Sequence, residues 1–319
     1  MSDARPRVAA LISGRGSNMA ALLYHSRLDV GAFDLCLVAA NDPGAEGLKL
    51  AQSEGIPIWS LAHKGLSKAE FEGKLEDALE ESRTDYIALS GFMRVLSAEF
   101  VQRWAGRILN IHPSLLPKYK GLDTHRKALD AGDSHGGCSV HIVTPELDDG
   151  PVLAQMPVAI AADDTAESLA ARVLRAEHQL YPVTLNAYVS RFRDSDWLLD
   201  QLRMRALELE RAEEATSHGA PAFRVTKGKF FAHFSDRHHG VDRVALLAKT
   251  SGEDEMNALI EAEPDLYHRP AYYGASGWIG IRLDRPDTDW DHVAEWLRTS
   301  WRRTAPKSLT KLIDAAEEF

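Results

Sequence analysis

Short apolar runs alternate with amphipathic stretches through the first half of the chain, and that rhythm predicts its elements. Strands are expected over residues 7–13, 34–40, 56–61, 86–90 and 108–112, and helices over 18–25, 45–54, 67–82 and 98–104. Strand and helix in strict alternation imply α/β architecture, a mostly parallel sheet with right-handed crossovers. Two further strands, 137–143 and 152–160, flank the turn-rich run Pro145-Glu146-Leu147-Asp148-Asp149-Gly150-Pro151, which predicts an antiparallel excursion. A long helical stretch over 165–188 closes the pattern. Asp163, Asp164 and Thr165 are capping types at its start, Glu167 suits its first turn, and Pro182 is expected to kink or split it. After a polar run over 191–196 the rhythm changes. A charged helix is expected over 197–215, then strands over 222–225, 230–234, 244–248 and 278–283, then helices over 289–301 and 307–316, a smaller α+β grouping.

Composition supports this division. The 319 residues are 45% hydrophobic and 26% charged, enough to bury a core and to exclude disorder of the whole. Five of the seven tryptophans, Trp197, Trp278, Trp290, Trp296 and Trp301, lie in the second part, so domains are drawn at 1–190 and 197–319. A net charge of −10 argues against non-specific attachment to nucleic acid or an anionic membrane. Only Cys36 and Cys138 are present, too few for a disulfide framework or a thiolate metal site. The apolar run over 8–12 is interrupted by Ser13-Gly14-Arg15-Gly16, too short for a signal peptide, and no window reaches a membrane span. A cytoplasmic location is expected.

Two places carry candidate chemistry. The first strand runs into Ser13-Gly14-Arg15-Gly16-Ser17-Asn18 and then a helix, a turn whose free N–H groups suit a phosphate. The third glycine of the dinucleotide fingerprint is replaced by Met19, which favours a monophosphate over a dinucleotide, with a plain tight turn as the alternative. The stronger cluster is Asn110-Ile111-His112-Pro113. Alternation along a strand puts Asn110 and His112 on one face, Pro113 ends the pairing, and strand ends of open α/β sheets are where ligands bind. Asp148, in its glycine- and proline-bracketed loop, is the candidate carboxylate partner.

Four segments, Ile12 through Asn18, Ser90-Gly91-Phe92-Met93-Arg94-Val95-Leu96, Asn110-Ile111-His112-Pro113-Ser114-Leu115-Leu116-Pro117-Lys118-Tyr119 and Glu146-Leu147-Asp148-Asp149-Gly150-Pro151-Val152, resemble the phosphoribosylglycinamide formyltransferases over about residues 6 to 190. The resemblance implies the formyltransferase fold, with a Rossmann-like sheet, and transfer of a formyl group from 10-formyltetrahydrofolate, as co-substrate and without a metal, to the amine of glycinamide ribonucleotide in purine biosynthesis. It implies catalytic roles for Asn110, His112 and Asp148, with Asp148 orienting His112 and favouring its charged form. The substrate phosphate is expected on Gly16, Ser17 and Asn18, the ribose near Glu177, and the folate along Met93, Arg94, Val95, Leu96 and Asn110. Lys68 stands where arginine is usual and so lacks a planar bidentate contact. Asp123 in Gly121-Leu122-Asp123-Thr124-His125 stands where many relatives have histidine. His141 reads equally as a partner of the site or as a satisfied core histidine.

Two superfamily relatives offer other readings. Methionyl-tRNA formyltransferases also carry a C-terminal domain, but from Trp197 onward 17 Lys plus Arg face 21 Asp plus Glu, a net of −4 that disfavours a tRNA acceptor. Formyltetrahydrofolate deformylase would carry a regulatory domain ahead of the first strand, which Arg7 already enters. The second part, through His218-Gly219-Ala220-Pro221-Ala222-Phe223-Arg224-Val225, Lys229-Phe230-Phe231-Ala232, Tyr273-Gly274, Gly277-Trp278-Ile279 and Arg298-Thr299-Ser300-Trp301, resembles the MmcQ/YjbR family, implying a CyaY-like α+β unit often described as DNA-binding. Arg298, Arg302, Arg303, Lys307 and Lys311 form the one basic stretch that fits such a role, against the reading of a solvated helix face over core tryptophans. A nucleic-acid-binding protein acting through this domain is thus the alternative to an enzyme with an appended domain. His233, His238 and His239 have no convincing metal-ligand spacing.

Overall fold

The first strand, β1 (Arg7–Ile12), is apolar on both faces, as expected of a strand with helices above and below it. The computed structural model describes residues 5–237 and 242–317; His238 and His239 lie outside the described residues. The chain divides into two compact units, 1–190 and 191–319.

In the first unit, β1 is followed by α1 (Ser17–Ser26), β2 (Asp34–Ala40), α2 (Glu46–Ser53), β3 (Ile58–Ser60), α3 (Lys68–Glu81), β4 (Tyr86–Leu89), α4 (Ala98–Arg103), β5 (Ile108–His112), α5 (Thr124–Asp130), β6 (His135–Ile142), β7 (Val152–Ala159) and α6 (Ala166–Ser190). The strands form a seven-stranded sheet in the order β3-β2-β1-β4-β5-β6-β7. The first five are parallel, and β6 and β7 pair antiparallel as the turn-rich loop predicts. Side chains alternate between two cores. Val8, Ala10 and Ile12 join Met19, Leu22 and Leu169 on one face, and Ala9 and Leu11 join Phe71, Leu75 and Phe100 on the other. After β3 the chain returns to lay β4 on the far side of β1, so strand order reverses between β1 and β4, the switch point at which such sheets open a crevice.

Three expectations need correction. Pro182 does not split the closing helix: α6 runs unbroken through it to Ser190, with Tyr181, Pro182 and Leu185 buried. Proline forfeits one intrahelical bond, but the buried face on either side holds the helix together, and Tyr181 donates its hydroxyl to the Leu109 carbonyl at 3.0 Å. The short helix α5 lies in a segment for which no element is expected from the pattern. In the second unit the charged helix ends early. It is α7 (Ser195–Ala206), and Glu213, Glu214 and Ala215 belong to an edge strand, β8 (Ala212–Ser217), paired antiparallel with β9 (Ala220–Val225). Cross-strand pairing overrides helix propensity there, and Arg224 meets Glu213 at 2.8 Å across the pair.

The rest of the second unit is β10 (Phe230–Asp236), β11 (Val244–Lys249), α8 (Glu253–Ala262), β12 (Tyr267–His268), β13 (Trp278–Arg282), α9 (Trp290–Thr304) and α10 (Lys307–Glu317). Its six-stranded sheet has the order β12-β13-β11-β10-β9-β8. One face buries Phe223, Phe231, Leu246 and Ile279 against Leu198, Leu202, Met256, Val293 and Leu297 from the helices. Two tryptophans of α9, Trp296 and Trp301, are core. Trp296 donates to His292 at 3.1 Å and Trp301 to the Glu210 carbonyl at 3.1 Å. From the basic stretch, Arg303 pairs with Glu255 at 3.1 Å and also reaches the Lys249 carbonyl, as a structural helix face does.

Candidate active site

Pairing register assembles the site. Asn110 on β5 lies opposite His141 on β6, and His112 lies opposite Ser139, so Asn110, His112 and His141 share a face. The loop between β6 and β7 brings back Asp148, whose carboxylate oxygens lie 3.4 Å from His112 Nδ1 and 3.5 Å from His141 Nε2. All three side chains are nearly sealed from solvent, His112 at 6%, His141 at 2% and Asp148 at 8% exposed. Asp148 holds a left-handed backbone, φ 50°, which Asp tolerates better than most residues. Its Oδ2 accepts from the Gly121 N–H at 2.9 Å. Burial alone pushes this carboxyl upward in pKa, but the contact with His141, the Gly121 N–H and the imidazole of His112 outweigh it and hold the group below its ordinary value.

Hydrogen bonds fix how the rings are presented. His112 Nε2 lies 3.0 Å from the Tyr119 carbonyl, which can only accept, so Nε2 carries a proton while Nδ1 faces the carboxylate. Both ring nitrogens thus face oxygen acceptors, an arrangement the charged ring satisfies. His141 Nδ1 likewise donates to the Ile142 carbonyl at 3.0 Å, leaving Nε2 to accept from the Asn110 amide at 3.1 Å. That bond sets the rotation of the Asn110 amide and leaves its second N–H free to point elsewhere. His141 is therefore a partner of the site. Sequence shows it only as a histidine on a strand; the antiparallel register opposite Asn110 distinguishes it.

These groups open on a cavity of about 600 Å³, whose lining includes Met93, Arg94, Val95, Leu96, Asn110, His112, His125 and Asp148. Its apolar members are unusually bare for a folded surface: Met93 is 73% and Leu122 is 75% exposed. Such a wall suits a flat fused ring with polar edges. Asp123, also in the lining, is exposed at the left-handed start of α5.

The phosphate-type loop forms a second, neighbouring group. Gly16 sits at φ 71° with its Cα so near Gly47 that a Cβ there would lie 3.1 Å from the Gly47 Cα. No side chain caps α1, so its first N–H groups are left for a ligand. Asn18 Nδ2 donates to Glu177 Oε2 at 2.7 Å, while Asn18 Oδ1 is buried without a partner. Burial raises the Glu177 carboxyl in pKa, and the Asn18 bond opposes the rise. Ser13 links the two groups across the switch point: its Oγ accepts from the Met93 N–H at 2.8 Å, and its N–H donates to the Gly91 carbonyl at 3.1 Å. Lys68 joins neither group. It is exposed in the first turn of α3 and is not among the described residues lining the cavity. The same helix instead supports the wall through Phe71, over which the Arg94 guanidinium lies at 4.7 Å, and through Glu72, which accepts from the Ser97 N–H at 2.8 Å. Among the described residues, no group of three or more His, Cys, Asp or Glu side chains could hold a metal ion.

A mostly parallel sheet with a switch-point crevice, ending on a buried amide, imidazole and carboxylate, fits a family model described as formyl transferase, which matches residues 6–185. The chain belongs to the formyl transferase family. Phosphoribosylglycinamide formyltransferase of Escherichia coli is 42% identical over 180 residues, covering 56% of this chain and 85% of that protein. The crystal structure of phosphoribosylglycinamide formyltransferase from Brucella melitensis matches with a TM-score of 0.56 at 46% identity, over 58% of this chain and 95% of that one. The trifunctional purine biosynthetic protein adenosine-3 of Drosophila melanogaster is 45% identical over 193 residues, 60% of this chain but only 14% of that protein's length. In the second unit a model described as YjbR matches residues 207–303.

Proposed function

We propose that residues 1–190 are a catalytic domain that transfers the formyl group of 10-formyltetrahydrofolate to the amine of N1-(5-phospho-D-ribosyl)glycinamide, in the purine (IMP) pathway. The observation that carries this reading is the convergence of Asn110, His112 and Asp148 at a cavity bordered by bare apolar residues. The 42% identity with the Escherichia coli enzyme supports the choice of acceptor.

Attack of the amine on the formyl carbon forms a C–N bond and places negative charge on the formyl oxygen, which needs donors already aimed at it. The free N–H of Asn110 and the Nε2–H of His112 are those donors, the substrate oxygen taking the place of the Tyr119 carbonyl. Asp148 orients the His112 ring and lies against any positive charge that develops on it during transfer. As the bond from carbon to the folate nitrogen breaks, the proton lost by the amine reaches that nitrogen by way of His112. The folate ring lies along Met93 to Leu96. The phosphate lies on the N–H groups of Gly16, Ser17 and Asn18, and a ribose hydroxyl satisfies the unpartnered Asn18 oxygen and Glu177. Holding two substrates in one crevice supplies most of the remaining acceleration.

Formyl transfer from 10-formyltetrahydrofolate to glycinamide ribonucleotide, measured on the full chain and on a chain ending at Ser190, tests the reading. Turnover by both supports it. No transfer to the ribonucleotide alongside transfer to aminoacyl-tRNA would reassign the acceptor.

A further inference from the structure

The second unit uses one face of its sheet for the core and leaves the other to a different set of side chains. His233, Leu247 and Gly280 lie in register across β10, β11 and β13, with Trp278 two residues from Gly280 and His268 opposite it on β12. His233, Leu247, His268 and Trp278, with the connection from Pro270 to Ser276, line a cavity of about 720 Å³. That volume lies within the range of sites for small organic ligands.

Its walls are aromatic. The His233 ring packs 4.9 Å from Tyr273, 4.9 Å from Trp278 and 5.3 Å from Phe230, centroid to centroid. His268 lies flat against the sheet only because Gly280 has no side chain: a Cβ there would fall 2.2 Å from its ring. The imidazoles of His233 and His268 face the cavity. His233 is 7% exposed and makes ring contacts but no hydrogen bond among the described residues. His268 Nδ1 is buried without a partner. Burial, reinforced by His218, lowers His233 to about 4, and burial with the charge of Arg243 outweighs the opposing charge of Asp284 and lowers His268, so both rings are neutral and each offers a donor and an acceptor. Among the described residues, Arg243 is the one permanently charged side chain of the lining, the lining contains no carboxylate, and Arg243 makes no ion pair.

Each feature restricts the occupant. Aromatic walls select a planar ring. Neutral imidazoles without partners select ring heteroatoms that donate and accept. A guanidinium without an ion pair, in a lining that holds no carboxylate, selects an anionic group and repels the quaternary cation that an aromatic cage would otherwise hold. We propose that this cavity binds a small heteroaromatic anion of nucleotide size, with its ring against His233, Tyr273 and Trp278 and its anionic group at Arg243.

Adenosine monophosphate and adenosine, titrated into the full chain by calorimetry, are the probes. The monophosphate should saturate one site, with adenosine weaker by about tenfold or more, the usual weight of a charge-assisted pair. Arg243→Gln should erase that difference. His233→Phe, which keeps an aromatic ring and removes both nitrogens, should weaken both probes by about tenfold. Unchanged circular dichroism and melting of each variant show that folding is intact, and a conservative Trp278→Phe, losing part of the stacking surface, gives an independent reading. The proposal is overturned by no saturation up to about 5 mM, by equal affinity for the two probes, or by an affinity for the monophosphate that Arg243→Gln leaves unchanged. An adenine decanucleotide bound more tightly than the monophosphate, with strong salt dependence lost in Arg243→Gln, would likewise replace a small-molecule site with a single-strand groove.

Discussion

Replacing Asp148 by Asn isolates the charge at the centre of the site. The amide oxygen can still accept from the Gly121 N–H, now at 2.9 Å, and Asn tolerates the left-handed backbone, φ 50°, as readily as Asp. Folding should therefore change by no more than about 1 kcal/mol. The charge is different. A carboxylate 3.4 Å from His112 Nδ1 attracts an imidazolium by about 5 kcal/mol at an effective dielectric of about 20, part of which offsets burial of the pair. A net loss of about 3 to 4 kcal/mol in the transition state corresponds to a fall in kcat of about 100- to 1,000-fold. Asp148→Ala makes the contrast. It also leaves the Gly121 N–H unpaired and puts alanine in a left-handed conformation, costing about 2 to 4 kcal/mol of stability on top of the same loss of turnover. Formyl transfer assayed with thermal melting separates the two effects. If Asp148→Asn retains more than about a tenth of wild-type kcat, the carboxylate does not stabilise an imidazolium at His112 in the transition state and the proposed mechanism fails.

His141→Phe should preserve packing but free the Asn110 amide to rotate, lowering kcat by about tenfold with little change in KM for the ribonucleotide; an equal loss in folding stability and kcat would mark a purely structural role. Gly47→Ala pushes a methyl to within 2.7 Å of Ile12 Cδ1 and 3.2 Å of the Arg15 carbonyl, so it should displace the phosphate-type loop, costing about 1 to 3 kcal/mol of stability and raising KM for the ribonucleotide far more than for the folate. An unchanged ratio of the two KM values would detach that loop from the phosphate. In the second unit, His233 takes up its proton near pH 6.5 when unfolded but only at about 4 when folded. Its contribution is thus complete above about pH 6.5 and falls as pH drops toward 4, by at most about 3 kcal/mol. Melting followed by tryptophan fluorescence should show that slope, and His233→Phe should flatten it.

Periodicity was sufficient for the order of the strands in the first unit but missed α5; the central strands β1, β2 and β4 are buried on both faces, so their apolar runs stand out, whereas β3 and β7 are half exposed. It also located Asn110 and His112 on one face, since two residues along a strand always share a side. Local pattern failed where the deciding contact is distant. Glu213 and Glu214 favour helix by themselves but pair in a strand with β9, and Pro182 stays inside α6 because burial on both sides outweighs one lost hydrogen bond. The same division holds for chemistry. Sequence alone determined that an amide, an imidazole and a carboxylate were available and that a glycine turn began the first helix. Only the tertiary structure decided that His141 stands opposite Asn110, that the returning loop seals Asp148 against both imidazoles, that Lys68 stays outside the cavity, and that an aromatic cavity opens on the second sheet. Those relations depend on pairing register and chain reversal between residues far apart in sequence, which no local pattern encodes.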